Sequence, residues 1–227
     1  MNSLSTYFTS SVGRKQIVAV TGLLLILFVI GHLAGNLLIF LGPEAFNNYA
    51  KKLAGLRPGL YLVEVGLCFV FVVHFFVTGV LVYENYLARN TQYGVNAAKG
   101  QRSWATRLMP YTGTLLLVFV LYHLWDFTFI DKHGPRSILA DGNSYGLYGV
   151  VVNAFADPGH STFYIAAMMA LGLHLSHGVE SFIQTFGFNH PHYTPMIKTF
   201  SHIFALVISF TYSSIPVYIL LNYPKVP

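Results

Sequence analysis

Four histidines lie deep inside separate apolar stretches of this 227-residue sequence: His32, His74, His123 and His174. An ionisable ring placed in hydrocarbon is costly, and it marks function before it marks packing. Any one such ring is equally well explained by a hydrogen bond to a neighbouring helix. Four of them, one per stretch, make packing alone the weaker account. Neutral imidazole is a metal ligand through either ring nitrogen, and desolvation favours the neutral ring.

The elements that must position these rings are visible in the composition. The chain is 54% hydrophobic and 9% charged, where a soluble domain carries about a quarter charged residues. Five apolar runs reach the roughly 20 residues needed to cross a bilayer: Gln16 to Leu41, Leu60 to Leu87, Leu108 to Ile130, Ser161 to Phe186 and Thr199 to Asn222. The expected fold is therefore all-α: one membrane domain over residues 1–227, a bundle of five transmembrane helices with short interfacial helices. The first run exceeds a secretion-signal core, holds His32 and lacks a clear cleavage site, so it reads as a retained helix.

Depth turns four rings into two pairs. At 1.5 Å per residue, His32 and His123 come out about 24 and 22 Å from the entry of their helices, and His74 and His174 about 21 and 20 Å. Odd and even helices enter from opposite faces. In a core of about 30 Å, helices one and three place their rings at one level, and helices two and four at another. Two imidazoles meeting at one depth fill both axial positions of a haem iron, an arrangement suited to electron transfer. Structural zinc needs four converging ligands, commonly thiolates. A c-type attachment needs Cys-x-x-Cys-His, and the sole cysteine, Cys68, reads as apolar filler.

The remaining histidines read differently. His177 follows His174 by three and shares its face, as an alternative ligand, a quinone or propionate partner, or a packed polar residue. His202 opens the fifth run and reads as interfacial; His133, His160, His190 and His192 fall in loops or at helix ends and read as solvated. A short repeat, Thr21-Gly22 before His32 and Thr112-Gly113 before His123, puts each threonine on the face of its histidine, about 16 Å away.

Between the runs, residues 42–59 contain Glu44 to Lys52, an interfacial amphipathic helix. Residues 88–107 are polar and basic. Residues 131–160 form the longest loop, with Tyr145 to Phe155 expected along the surface, and residues 187–198 make a tight link containing Pro191 and Pro195. Basic residues divide seven against six between the two faces, so the positive-inside rule does not orient the chain. The net charge of +5 suits anionic lipid or an acidic partner. It lacks the aromatic interleaving of a nucleic-acid groove, so no nucleic acid is expected.

The sequence resembles the single-chain di-haem cytochrome b membrane subunits of succinate:quinone oxidoreductases, the succinate dehydrogenase and fumarate reductase family. The resemblance rests on Gly31-His32-Leu33-Ala34-Gly35-Asn36, Glu44-Ala45-Phe46-Asn47-Asn48, Tyr122-His123-Leu124-Trp125-Asp126 and His174-Leu175-Ser176-His177-Gly178-Val179-Glu180-Ser181-Phe182, in family order across residues 1–222. It implies two haems b held by His32 with His123 and by His74 with His174. It also implies an N-terminus on the cytoplasmic side of the inner membrane, with the second pair nearer that side. Flavoprotein and iron–sulfur partner subunits and a quinone, menaquinone being the expected type, follow from it too. This chain carries no cysteine cluster or dinucleotide fingerprint, so the flavin and iron–sulfur centres belong to those partners.

By the same resemblance Trp104 lies near the haem propionates, Arg14 and Lys15 are cationic candidates there, and residues 88–107 join the docking surface. An asparagine stands at the place of His177 in some relatives, which favours His174 as the ligand. Glu64, Asp126 and Glu180 are the candidates for proton and quinone chemistry, each also readable as an ordinary interfacial carboxylate. Two other readings stay open: the membrane cytochrome of another quinone-linked complex, and a haem-free structural anchor.

Overall fold

The computed structural model describes residues 3–87 and 104–225. Hydrocarbon offers no partner to a backbone N–H or C=O, so a spanning segment must bond to itself as a helix. Eight α-helices form among the described residues: α1 Ser3–Thr9, α2 Ser11–Asn36, α3 Pro43–Ala54, α4 Gly59–Leu87, α5 Trp104–Phe127, α6 Gly146–Ala156, α7 Pro158–Thr185 and α8 Thr194–Asn222. Helices α2 (continued by a 3-10 turn to Leu41), α4, α5, α7 and α8 are long and apolar enough to cross a membrane, and each overlaps one of the five expected runs. The chain is a multi-pass membrane protein.

Local chemistry sets the helix starts. Ser10 caps α2 by accepting the Gly13 N–H at 3.1 Å. Asp157 caps α7 by accepting the His160 N–H at 2.6 Å, and Pro158 stands in the first turn, where a missing N–H is harmless. Before α3 the chain turns at Gly42, whose φ of 90° favours a residue without a Cβ.

The amphipathic α3 is as expected. Phe46 points inward at 6% exposure, and Lys51 and Lys52 sit in its last turn, where cations suit the carbonyl end of a helix. The surface position expected for Tyr145 to Phe155 is overturned. Helix α6 is buried, with Tyr148, Val150 and Val152 at most 2% exposed. Its apolar residues run around the whole helix, leaving no polar face for headgroups, and such a helix belongs inside. Asn47 of α3 holds its start, donating from Nδ2 to the Tyr145 carbonyl at 2.8 Å and accepting the Tyr148 N–H on Oδ1 at 3.1 Å.

Helices α7 and α8 pack most closely. Ser201, Ala205, Ser209 and Ser213 recur every fourth residue along α8 and are buried. A Cβ on Gly172 of α7 would stand 2.9 Å from the Ser209 Cβ, and the Ser209 hydroxyl donates to the Met168 carbonyl at 2.9 Å. Small residues let two backbones approach within van der Waals and hydrogen-bond range, the main attraction available between helices in lipid. Helix α4 is the opposite case. It leans along α2, and none of its residues is buried.

Asn47→Ala removes two bonds at the start of a buried helix, so it should lower stability by about 1–3 kcal/mol. Thermal unfolding in detergent, followed by helical circular dichroism, checks this, and Asn47→Asp, which turns a second acceptor toward the Tyr145 carbonyl, should recover little of the loss.

Candidate functional site

Helices α2 and α5 bring His32 and His123 together. Their ring centroids are 5.8 Å apart with planes crossed at 84°. Each ring is backed one helical turn earlier by a phenylalanine: Phe28 stacks on His32 at 5.3 Å and Phe119 on His123 at 5.7 Å. Tyr212 of α8 lies 6.4 Å from His32, and its hydroxyl donates to the Val29 carbonyl at 2.8 Å.

Helices α4 and α7 carry the second pair. His74 Nδ1 lies 3.0 Å from the Thr21 hydroxyl of α2, and His174 Nδ1 lies 3.2 Å from the Thr112 hydroxyl of α5. The two Thr–Gly steps of the sequence thus face the histidines of the other pair. All four rings are half-buried between helices. His177 turns elsewhere, to the Thr106 hydroxyl at 3.2 Å from Nδ1, so His174 and not His177 faces Thr112.

Metal–imidazole bonds of about 2 Å on opposite sides of one iron put ring centres roughly 6 Å apart. The 5.8 Å separation of His32 and His123 fits that requirement. Among the described residues no three His, Cys, Asp or Glu side chains gather into a metal-binding group. The one facing pair of imidazoles, His32 with His123, would suit a planar macrocycle that supplies the remaining ligands.

Beyond His123 a polar cluster closes one end of the bundle. Asp126, 4% exposed, accepts from Arg136 at 3.0 Å and from the Tyr164 hydroxyl at 3.1 Å, and its Oδ2 faces His160 Nε2 at 3.0 Å. Tyr164 also lies 3.4 Å from His123 Nδ1, and the Tyr122 hydroxyl 3.2 Å from His160 Nδ1. The solvated reading of His160 is overturned: its side chain is 12% exposed, because the carboxylate of Asp126 draws it inward. The Arg136 and Tyr164 partners carry no signal in the sequence, since they come from segments that only the fold joins.

The other candidates scatter. Glu64 is half exposed and pairs with Arg57 at 3.0 Å, whose guanidinium also covers Tyr61 at 4.2 Å. Glu180 accepts from Gln184 at 2.9 Å and faces Lys198 at 3.9 Å. Arg14 is ion-paired to Glu84 of α4, which ties α2 to the end of α4, and Lys15 is exposed. His202 is exposed, as expected for the interface. Residues 88–103 and the side chain of Trp104, expected at the docking surface and the propionates, lie outside the described residues.

Apolar spanning helices with two imidazoles meeting between them are the build of a membrane cytochrome b. The chain is similar to the succinate dehydrogenase cytochrome b558 subunit of Bacillus subtilis (strain 168), 28% identical over 182 residues that cover 80% of this chain and 81% of that protein. This likeness bears out the resemblance to the cytochrome b membrane subunits of succinate:quinone oxidoreductases. No family model and no solved structure matches.

Asp126→Ala should destabilise the protein by about 1–3 kcal/mol, because it leaves the buried Tyr164 hydroxyl and the largely covered His160 without their carboxylate, while the exposed Arg136 can turn to solvent. Chemical or thermal unfolding in detergent measures the loss, and Asp126→Asn, which keeps an acceptor, should recover part of it.

Proposed function

We propose that this chain is the di-haem b membrane subunit of a succinate:quinone oxidoreductase, a single membrane domain that carries electrons between an iron–sulfur subunit and a quinone. The supporting observation is the pairing of His32 with His123 from alternate helices at 5.8 Å, with His74 and His174 seated by matching threonines one level away. The relative's name supplies the enzyme complex.

In this reading His32 and His123 hold one haem and His74 and His174 the other, and the bound haems supply reversible one-electron exchange with no position left for oxygen. The chain's own residues do the rest. Phe28 and Phe119 keep the first pair of rings edge to face. The apolar spans exclude water. A flavoprotein subunit would act on succinate or fumarate, and the iron–sulfur subunit would dock on the cytoplasmic side of the inner membrane, where the N-terminus and the second pair lie. Trp104, Arg14 and Lys15 would face the propionates there, with Arg14 shared with Glu84.

Quinone chemistry needs a proton carrier beside a haem ligand, and the Asp126, Tyr164 and His160 cluster touching His123 meets that need best. Glu64, held outside by Arg57, and Glu180, on Gln184, meet it less well. Menaquinone is the proposed quinone type.

Haem quantitation as the pyridine haemochrome tests the assignment. Wild-type protein should carry two haems per chain, His32→Ala or His123→Ala should lose one, and His74→Ala or His174→Ala the other. The two losses should be distinguishable in reduced-minus-oxidised spectra. Equal haem in wild type and all four variants would refute the ligand set. Co-purification of a flavin subunit and an iron–sulfur subunit with the tagged chain tests the complex.

A further inference from the structure

The likeness between the first and third spanning helices extends well beyond a threonine, a glycine and a histidine. Aligning residues 21–32 with 112–123 places Thr21, Gly22, Leu24, Leu25, Phe28, Val29 and His32 over Thr112, Gly113, Leu115, Leu116, Phe119, Val120 and His123. The three-dimensional roles repeat as well. In each copy the phenylalanine stacks on its own histidine, and the threonine meets a histidine from the next spanning helix.

The direction of those hydrogen bonds is fixed by proton supply. A hydroxyl has one proton to give. The Thr21 hydroxyl donates to the backbone, with the Ile17 carbonyl at 2.7 Å and the Val18 carbonyl at 3.2 Å. The Thr112 hydroxyl does the same toward Leu108 and Met109, at 3.1 and 3.2 Å. With its proton committed, each oxygen can only accept from the imidazole beside it. That assigns the ring hydrogen to Nδ1 of His74 and of His174 and leaves Nε2 its lone pair, the tautomer that coordinates a metal through Nε2.

Glycine completes the seat. A Cβ at Gly22 would stand 3.3 Å from His74 Cε1, and one at Gly113 would stand 3.5 Å from His174 Cε1. Each glycine thus leaves its ring edge the room that a larger side chain would take, most tightly at Gly22.

We infer that Thr21-Gly22 and Thr112-Gly113 are twin sockets that fix the tautomer and orientation of His74 and His174, making both threonines positioning residues for both axial ligands of one haem. The inference rests on the haem assignment proposed above. An N–H···O bond at Nδ1 raises the basicity of the coordinating nitrogen, which stabilises ferric over ferrous iron. The haem of His74 and His174 is therefore poised lower than it would be without the two hydroxyls.

The test is a spectroscopic redox titration of the intact membrane subunit, or of its complex, with haem content measured alongside. The component lost in His74→Ala identifies the haem concerned. Thr21→Val and Thr112→Val should keep two haems yet shift the midpoint of that component upward, the double variant more than either single one. Thr21→Ser and Thr112→Ser should restore the wild-type value, and the other haem should not move. An unchanged midpoint, a shift in the wrong haem, or serine variants behaving like valine would overturn the sockets while leaving the ligand assignment intact. Wild-type protein without haem would overturn both. If the valine variants fail to accumulate, Gly22→Ala decides, because its methyl would press on His74 Cε1: the ferric electron-spin signal of the same haem should move, and an unaltered signal refutes the proposal.

Discussion

An imidazole ring in hydrocarbon has two nitrogens and no water for either, and the bundle is organised around that shortage. One nitrogen of His74 and of His174 is met by a threonine hydroxyl, and one of His123 faces the Tyr164 hydroxyl. In each case the hydroxyl has already given its own proton away, to a helix carbonyl or to Asp126. By the tautomer inferred above, the remaining nitrogen would keep its lone pair free for a ligand. Hydrophobic matching cannot set helix rotation in lipid, since tails and side chains are equally apolar; directed polar contacts can.

The rest of the fold keeps those rotations from drifting. The α7–α8 contact is close because Gly172 and the small residues of α8 allow it, so the helix bearing His174 is held along much of its length. At one end, α6 packs beneath α3 through Asn47. Arg136, just ahead of α6, reaches Asp126 on α5, which links the capping segment to the helix of His123. Among the described residues helix α4 is held less firmly, by its seam with α2, a smaller contact with α5, the Arg14–Glu84 pair and the His74 hydrogen bond. A prosthetic group gripped by His74 would therefore contribute more to placing α4 than to placing any other span.

Much of this is legible in the amino-acid sequence, for physical reasons. Twenty apolar residues have few alternatives to a membrane helix, and a rise of 1.5 Å per residue converts sequence position into depth, so arithmetic alone pairs His32 with His123. Glu64 with Arg57, seven residues away along one short stretch, is local enough to be read as an interfacial pair. The misreadings share a cause. Hydropathy reports how apolar a segment is but not what covers it, so α6 reads as a surface element although its lack of a polar face points inward. His160 reads as solvated because its partner, Asp126, is far off in sequence and meets it only when α5 and α7 lie side by side. The Thr–Gly repeat is plain in the sequence, yet its partner is out of reach: a helical face says which side a threonine is on, not which neighbour waits there.

Duplication of one helical module need not give two equal sites, and here it does not. The histidine ending each module is backed by phenylalanine, while the threonine beginning each module serves a histidine from a different helix. The first pair therefore draws on ring stacking and, through His123, on a chain of Tyr164, Asp126, His160 and Arg136 that ends in an anion and a cation. The second draws on two neutral hydroxyls of like geometry. A group held by the first pair would sit beside a carboxylate, a phenol, an imidazole and a guanidinium; one held by the second would sit against two hydroxyls, with His177 one helical turn from His174. The proposed electron path would therefore run between two unlike settings, with its more polar end at His123, the asymmetry expected where one end of such a path meets a proton-dependent reaction and the other does not.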